Sequence, residues 1–160
     1  MLAQFGLSRD PRVKFQTTKR SEHTGRLAIP KGITEIQGPH REYLWKRGFD
    51  PDEIKQLWDV RGIGIHSSLP WRLWFPIHRH GAVVSWSTRA IGADVEPQYK
   101  HAPDNETAIP RSHLLYGEDY VRHVVIVHEG PIDVWRTGPG AVATMGLAVS
   151  TAQVARLSRY

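Results

Sequence analysis

Four consecutive β-branched residues, Val124-Val125-Ile126-Val127, run into His128-Glu129-Gly130-Pro131-Ile132-Asp133. This run limits the possible folds more than any other. An unbroken apolar run of this kind suits a strand buried on both faces of a parallel sheet. A parallel sheet needs a crossover before its next strand. The sequence supplies one: a helix predicted from Ile132 to Thr137, a Gly138-Pro139-Gly140 stop, a short strand Ala141-Val142-Ala143-Thr144 and a turn at Gly146. Ser150-Thr151-Ala152-Gln153 then forms a capping box that opens a final helix, with Val154 and Leu157 expected inward. Strand–helix–strand–helix with short links predicts a right-handed parallel unit.

Upstream the pattern differs. Asp50-Pro51-Asp52-Glu53 is a strong helix start, with Asp as N-cap and Pro at the first helical position. Ile54, Leu57 and Trp58 then share one apolar face. A shorter helix over His40 to Arg47 precedes it, closed by Gly48. The pair is too short for a DNA-reading helix–turn–helix, so packing is the expected role. Trp71 to Ile77 reads as a strand, Arg79-His80-Gly81 as a turn and Ala82 to Ala90 as the hairpin partner. A polar loop from Gly92 to Arg111 follows, longer than structureless connections usually are. Residues 1 to 39 read as an extended basic arm carrying Arg9, Arg12, Lys14, Lys19, Arg20 and Arg26. The arm has one short strand near Leu27 to Ile29 and ends at Gln37-Gly38-Pro39.

Composition narrows the function classes. At 160 residues, 40% hydrophobic and 23% charged, the chain predicts one ordered domain or two small subdomains on a shared core. With no cysteine there is no disulfide scaffold, cysteine-ligated zinc site or thiol nucleophile. An intracellular protein is the expectation. No apolar stretch is long enough to span a membrane, and Met1 to Asp10 carries no secretory pattern. Twenty-one Lys and Arg against 16 Asp and Glu give a net +5, which favours polyanionic partners without establishing one.

The chemistry concentrates at Glu129 and Asp133. Ligands of open parallel sheets collect beyond the carboxyl ends of the strands, where Glu129 is expected. Asp133 follows one helical turn later, so both carboxylates can face one crevice. Hard oxygen donors of this kind suit Mg²⁺ or Mn²⁺. The alternative is a helix-start pair, with Glu129 bonding free amide groups and Asp133 solvated. Other candidates are weaker. His128-Glu129 lacks the second His of a zinc-protease helix, since Ile132 stands there. His78 and His80 flank a turn, and Gly138-Pro139-Gly140 lacks the Lys-Ser/Thr of a phosphate loop. No nucleophile-elbow motif is present.

These residues also carry a family resemblance. Val124 to Asp133 resembles the first motif of a TOPRIM domain, and Ala141-Val142-Ala143-Thr144-Met145-Gly146 its second strand and glycine turn. Upstream the order is similar to the catalytic core of bacterial and bacteriophage DNA primases. Tyr43-Leu44-Trp45-Lys46-Arg47-Gly48 resembles their YLxxRG entry, Arg72 to Ile77 their R-x-x-FPI strand, Ser87-Thr88-Arg89 their GR or TR pair, and Leu114-Leu115-Tyr116-Gly117 their LYG. The resemblance implies an α/β chain with three parts. These are the arm (1–39), a primase-core N-terminal subdomain of short helices and a small mixed sheet (40–120), and a partial TOPRIM βαβα unit (121–160).

It further implies metal-dependent synthesis of RNA primers on a single-stranded DNA template from ribonucleoside triphosphates. Glu129 would be the metal-site carboxylate, supported by Asp133, with Mg²⁺ or Mn²⁺ as cofactor and no zinc. Arg72, Arg89, Lys100 and Arg111 would hold template phosphate or nucleotide. Trp71, Trp74 and Trp86 are expected either to stack bases or, for at least two of them, to pack the core. The setting implied is the cytoplasm of a bacterial host, with a helicase among the partners and no membrane.

Departures from the family pattern matter as much. The family's Asp-x-Asp strand is missing before Tyr160, its preceding zinc-binding domain has no counterpart, and its Lys residues are Gln98 and Arg111 here. A truncation, or the N-terminal piece of a split bacteriophage primase completed by a second polypeptide bearing Asp-x-Asp, accounts for this pattern. Two other readings stay open: a non-catalytic TOPRIM-like module that binds DNA or a replisome partner, and a TOPRIM nuclease, against which the upstream motifs argue.

Overall fold

A computed structural model describes residues 25–65 and 67–160. The basic cluster from Arg9 to Arg20 lies outside the described residues. In chain order the elements are β1 (Ile33–Thr34), α1 (Gly38–Lys46), α2 (Pro51–Trp58), β2 (Arg61–Ile63), β3 (Arg72–Arg79), β4 (Ala82–Ala90), β5 (Tyr99–His101), β6 (Ile126–His128), α3 (Pro131–Thr137), β7 (Ala141–Ala143) and α4 (Thr151–Leu157).

Local chemistry sets the helix ends. The Asp50 carboxylate accepts from the amides of Asp52 (2.8 Å) and Glu53 (3.4 Å), and Pro51 occupies the first turn of α2, where its missing N–H costs nothing. Gly48, at φ +77°, turns the chain out of α1. In the β3–β4 hairpin His80 and Gly81 both have positive φ, as a tight hairpin turn demands. The Asp119 carboxylate accepts from both their amides, at 3.0 and 2.8 Å.

The five strands β1-β2-β3-β4-β5 form one sheet, antiparallel throughout, whereas a mixed sheet was expected. Parallel pairing is confined to a separate β6–β7 pair. Leu73, Phe75 and Ile77 project from one face of the large sheet. They pack with Leu44, Ile54 and Trp58 of the helical pair and with Ile132, Val134 and Trp135 of α3, so both sheets share one core. On the opposite face Trp74 and Trp86 bury against Ile63 and Ala102. Residues 27–29 cross that face without forming the expected strand. The Trp86 indole N–H donates to the Ala28 carbonyl (2.7 Å), and the Ala28 amide donates to the Glu106 carbonyl (3.0 Å).

Three further expectations change. The loop from 92 to 111 contains strand β5, paired to β4 through Arg89↔Tyr99, Thr88↔Lys100 and Ser87↔His101. The β-branched run is a strand only over Ile126–His128, and it is not buried on both faces: Val124 is 73% exposed, Ile126 50% and Val127 46%. The reason is topological. β7 is engaged on both sides, by β6 and by the Tyr116 backbone bridged to Ala143, while β6 pairs with β7 alone among the described residues. Finally, α4 buries Gln153 and Arg156 where Val154 was expected. The Gln153 side-chain amide donates to the carbonyls of Leu114 (2.8 Å) and Thr144 (2.9 Å), and Arg156 pairs with buried Glu118. Polar anchors thus fix this helix, and Val154 faces out.

Candidate active site

The β6–β7 ladder continues past both strands and carries Glu129 with it. The Thr144 amide donates to the His128 carbonyl (3.1 Å) and the Met145 amide to the Glu129 carbonyl (2.9 Å). Met145 is buried at φ 61°, a left-handed conformation that costs a non-glycine residue on the order of 1–3 kcal/mol. Gly130 and Pro131 then turn the chain into α3, whose first turn holds Asp133. Glu129 and Asp133 are both exposed at this carboxyl end of the parallel pair.

Strand β5 supplies the facing wall. Its alternation puts Tyr99 and His101 on one side, with ring planes 1° apart and centroids 6.3 Å apart. The Tyr99 hydroxyl reaches the start of α3, 3.7 Å from where a Gly130 Cβ would stand. Burial raises its pKa. Across the strand pair the Arg89 guanidinium lies over the Tyr99 ring (4.7 Å) and donates to the Tyr43 hydroxyl (3.2 Å). Arg47 in turn covers the Tyr43 ring at 4.9 Å. Arg47, Tyr43, Arg89 and Tyr99 therefore alternate cation and ring in a track leading from α1 to the carboxylates. Tyr99, His101, Glu129, Gly130, Pro131, Met145 and Gly146 line a cleft of about 220 Å³. Arg111 stands beside it, donating from Nη1 to the Met145 carbonyl.

The six residues singled out from sequence divide. Glu129 lines this cleft, and Asp133, Arg89 and Arg111 stand beside its lining residues Gly130, Tyr99 and Met145. Arg72 does not: it is 2% exposed, and its guanidinium donates to the carbonyls of Pro97 (2.8 Å) and Gln98 (3.3 Å), fixing the turn before β5. Lys100 alternates onto the face opposite Tyr99 and His101, beside Thr88. Gln98, where the family has Lys, braces its own loop by donating to the carbonyls of Gly92, Ala93 and Val95 at 2.9–3.2 Å. Trp74 and Trp86 are core residues, and Trp71 is half-buried against His40. Sequence reasoning missed Tyr99 and His101. The alternation of Tyr99-Lys100-His101 was the available signal, and reading 92–111 as a loop concealed it.

A divalent ion fits this donor set only in part. No group of three His, Asp or Glu close enough to hold a metal occurs among the described residues. Two carboxylates are what Mg²⁺ uses when waters and substrate phosphates complete its shell. Glu129 and Asp133 would hold such an ion jointly with further oxygen donors.

The histidines give the fold a pH dependence. Burial lowers His101 to about 4, with nearby Arg111 adding to the effect, and burial also lowers His40. An unfolded His takes up its proton near pH 6.5, so between about 6.5 and 4 the unfolded chain binds a proton that folded His101 refuses. Stability present at pH 7 is thus expected to fall as the pH drops through this window. Denaturant titrations at several pH values should show the slope, and His101→Gln should flatten it.

No family model matches the chain. Over 110 residues it is 34% identical to the DNA primase of Synechococcus elongatus, a match spanning 62% of this chain and 16% of that protein. The DnaG primase catalytic domain bound to ssDNA superimposes with a TM-score of 0.64 at 20% identity, covering 79% of this chain and 52% of that one. The RNA polymerase domain of Mycobacterium tuberculosis primase DnaG gives 0.60 at 25% identity, covering 79% and 55%. The chain thus spans about half of the solved cores and a sixth of the curated relative. Among the described residues no helix is long and apolar enough to cross a membrane. Over the matched residues the chain is similar to the DNA primases, and its mixed α/β structure is the fold of part of the DnaG catalytic core.

Proposed function

We propose that this chain takes part in metal-dependent synthesis of RNA primers on single-stranded DNA, as one portion of a primase catalytic site. The observation that carries this reading is a cleft at the carboxyl end of a parallel strand pair, lined by Glu129 and Tyr99, with Asp133 beside Gly130, Arg89 on the Tyr99 ring and Arg111 tied to Met145. A bound Mg²⁺ or Mn²⁺ would neutralise phosphate charge and lower the pKa of the attacking 3′-hydroxyl. Glu129 and Asp133 offer it oxygen donors. Arg111, tied to the Met145 turn, holds nucleotide phosphate close to them. Arg47 and Arg89, each stacked on a tyrosine, hold the template strand by its phosphates with little loss of side-chain freedom, since the rings already fix them.

The remaining carboxylates come from an Asp-x-Asp strand outside the described residues, on the same polypeptide or on a second chain. The edge of β6 that has no partner among the described residues, with Ile126, Val127 and the preceding Val124 exposed, supports a docking place beside Glu129. The proposed setting is bacterial or bacteriophage DNA replication in the host cytoplasm, in the company of a helicase.

Single-strand affinity tests the track. Arg89→Ala is expected to weaken binding several-fold at low salt and to reduce the salt slope by about 0.7, the share of one phosphate contact. Fluorescence titrations of a labelled oligonucleotide at several salt concentrations measure both. An unchanged slope in a folded variant removes Arg89 from the site. The non-catalytic reading shares this track and parts from the proposal at Glu129, whose replacement by Gln would then change nothing.

A further inference from the structure

Tyr99 and His101 are two residues apart on β5, so both rings stand on the same side of the strand. Their planes are parallel to within 1°, with centroids 6.3 Å apart. Arg89 occupies one face of Tyr99. His101 is held by a 2.8 Å hydrogen bond between its Nδ1 and the Ser87 hydroxyl. With that hydroxyl donating to the Lys100 carbonyl (3.4 Å), the imidazole donates through Nδ1 and keeps an acceptor at Nε2. The same cleft has Pro131 and Met145 as apolar walls and Glu129 at its rim. Arg111 stands beside this cleft of about 220 Å³, where the phosphates of a nucleotide seated in it would lie.

We propose that the Tyr99–His101 pair is the nucleobase seat of this cleft: a base stacks on the two rings and His101 Nε2 accepts one of its N–H groups. Neither residue is among the six site candidates singled out from sequence, and the inference deepens the primase reading above, on which it rests. Stacking is sequence-tolerant because every base has a π-face, so the seat would discriminate base from no base more than one base from another. The base belongs either to an incoming nucleotide or to the template strand, and binding measurements separate the two.

The test uses purified residues 1–160 in EDTA, with four probes: ATP, inorganic tripolyphosphate, a short single-stranded oligodeoxynucleotide and its abasic counterpart. Calorimetric titration is expected to show at least one base-bearing probe binding about 5- to 150-fold more tightly than its baseless partner, the range of one base–aromatic stack. A margin in the ATP pair assigns the seat to the incoming nucleotide, and one confined to the DNA pair assigns it to the template. His101→Ala and Tyr99→Ala should erase the margin, and His101→Phe should keep most of it, near-ultraviolet circular dichroism verifying each fold. Equal binding of both pairs by the unmodified protein overturns the seat, whatever the variants do. The primase reading would survive that result if Arg89→Ala still weakened single-strand binding, so the two failures are distinguishable.

Discussion

Replacing Phe75 with Ala is expected to lower stability by about 3–5 kcal/mol, the usual cost of deleting a fully buried aromatic side chain. Phe75 is completely buried at the centre of β3, edge-on to Tyr116 (5.4 Å) and to Trp135 (5.5 Å). These two rings belong to different parts of the chain. Tyr116 bridges to β7 through its backbone, and its hydroxyl accepts from the Trp135 indole at 2.7 Å. Trp135 is on α3, the helix that starts beside Glu129. The ring of Phe75 therefore couples the five-stranded sheet to the parallel pair, and its loss leaves a cavity between them that packed neighbours cannot fill without moving strand or helix. For a chain of this size the melting temperature should fall by roughly 6–20 °C. A drop of one or two degrees would mean that the two sheets are not held by a common core.

That coupling was only half legible in the sequence. Capping signals at Asp50 and Ser150 placed α2 and α4 because a cap is a local interaction between residues two or three apart. The hairpin was legible for the same reason, its turn and its period-two strands being contiguous. What decides burial is not local. The run Val124 to Val127 has the composition of a doubly buried strand, yet among the described residues β6 pairs with β7 alone, so Val124, Ile126 and Val127 stay exposed and only Val125 packs inward, with Leu115, Val121 and Val142. Arg72 looks like a phosphate ligand in the motif but spends its donors on two carbonyls contributed by residues 25 and 26 positions later. Tyr99 and His101 alternate about Lys100, but three residues in a polar, proline-rich stretch read as loop until β5 is paired to β4. Glu129, Asp133, Arg89 and Arg111, singled out from motifs, lie in or beside one cleft, whereas Arg72 and Lys100, singled out in the same way, do not.

Glu129→Gln carries the largest expected effect on activity. The substitution keeps size and hydrogen-bonding capacity and removes only the negative charge that a divalent ion requires. Since Glu129 is exposed, its loss leaves no buried group unpaired, and stability should change by less than ~0.5 kcal/mol. Single-strand binding should likewise persist, because the Arg47–Tyr43–Arg89–Tyr99 track does not use the carboxylate. Only a step that needs the charge should suffer, by about 100- to 1000-fold if Glu129 supplies an electrostatic contact of the usual catalytic strength.

The decisive measurement is primer synthesis on single-stranded DNA with Mg²⁺ or Mn²⁺ and ribonucleoside triphosphates. Residues 1–160 would be assayed alone and together with the segment that carries the Asp-x-Asp strand, each with Glu129 and with Glu129→Gln. Little or no primer is expected from residues 1–160 alone, with activity on adding the second segment and its loss in the Gln variant while melting temperature and DNA affinity hold. Full activity with Gln at position 129, in the presence of the completing segment, would contradict this expectation.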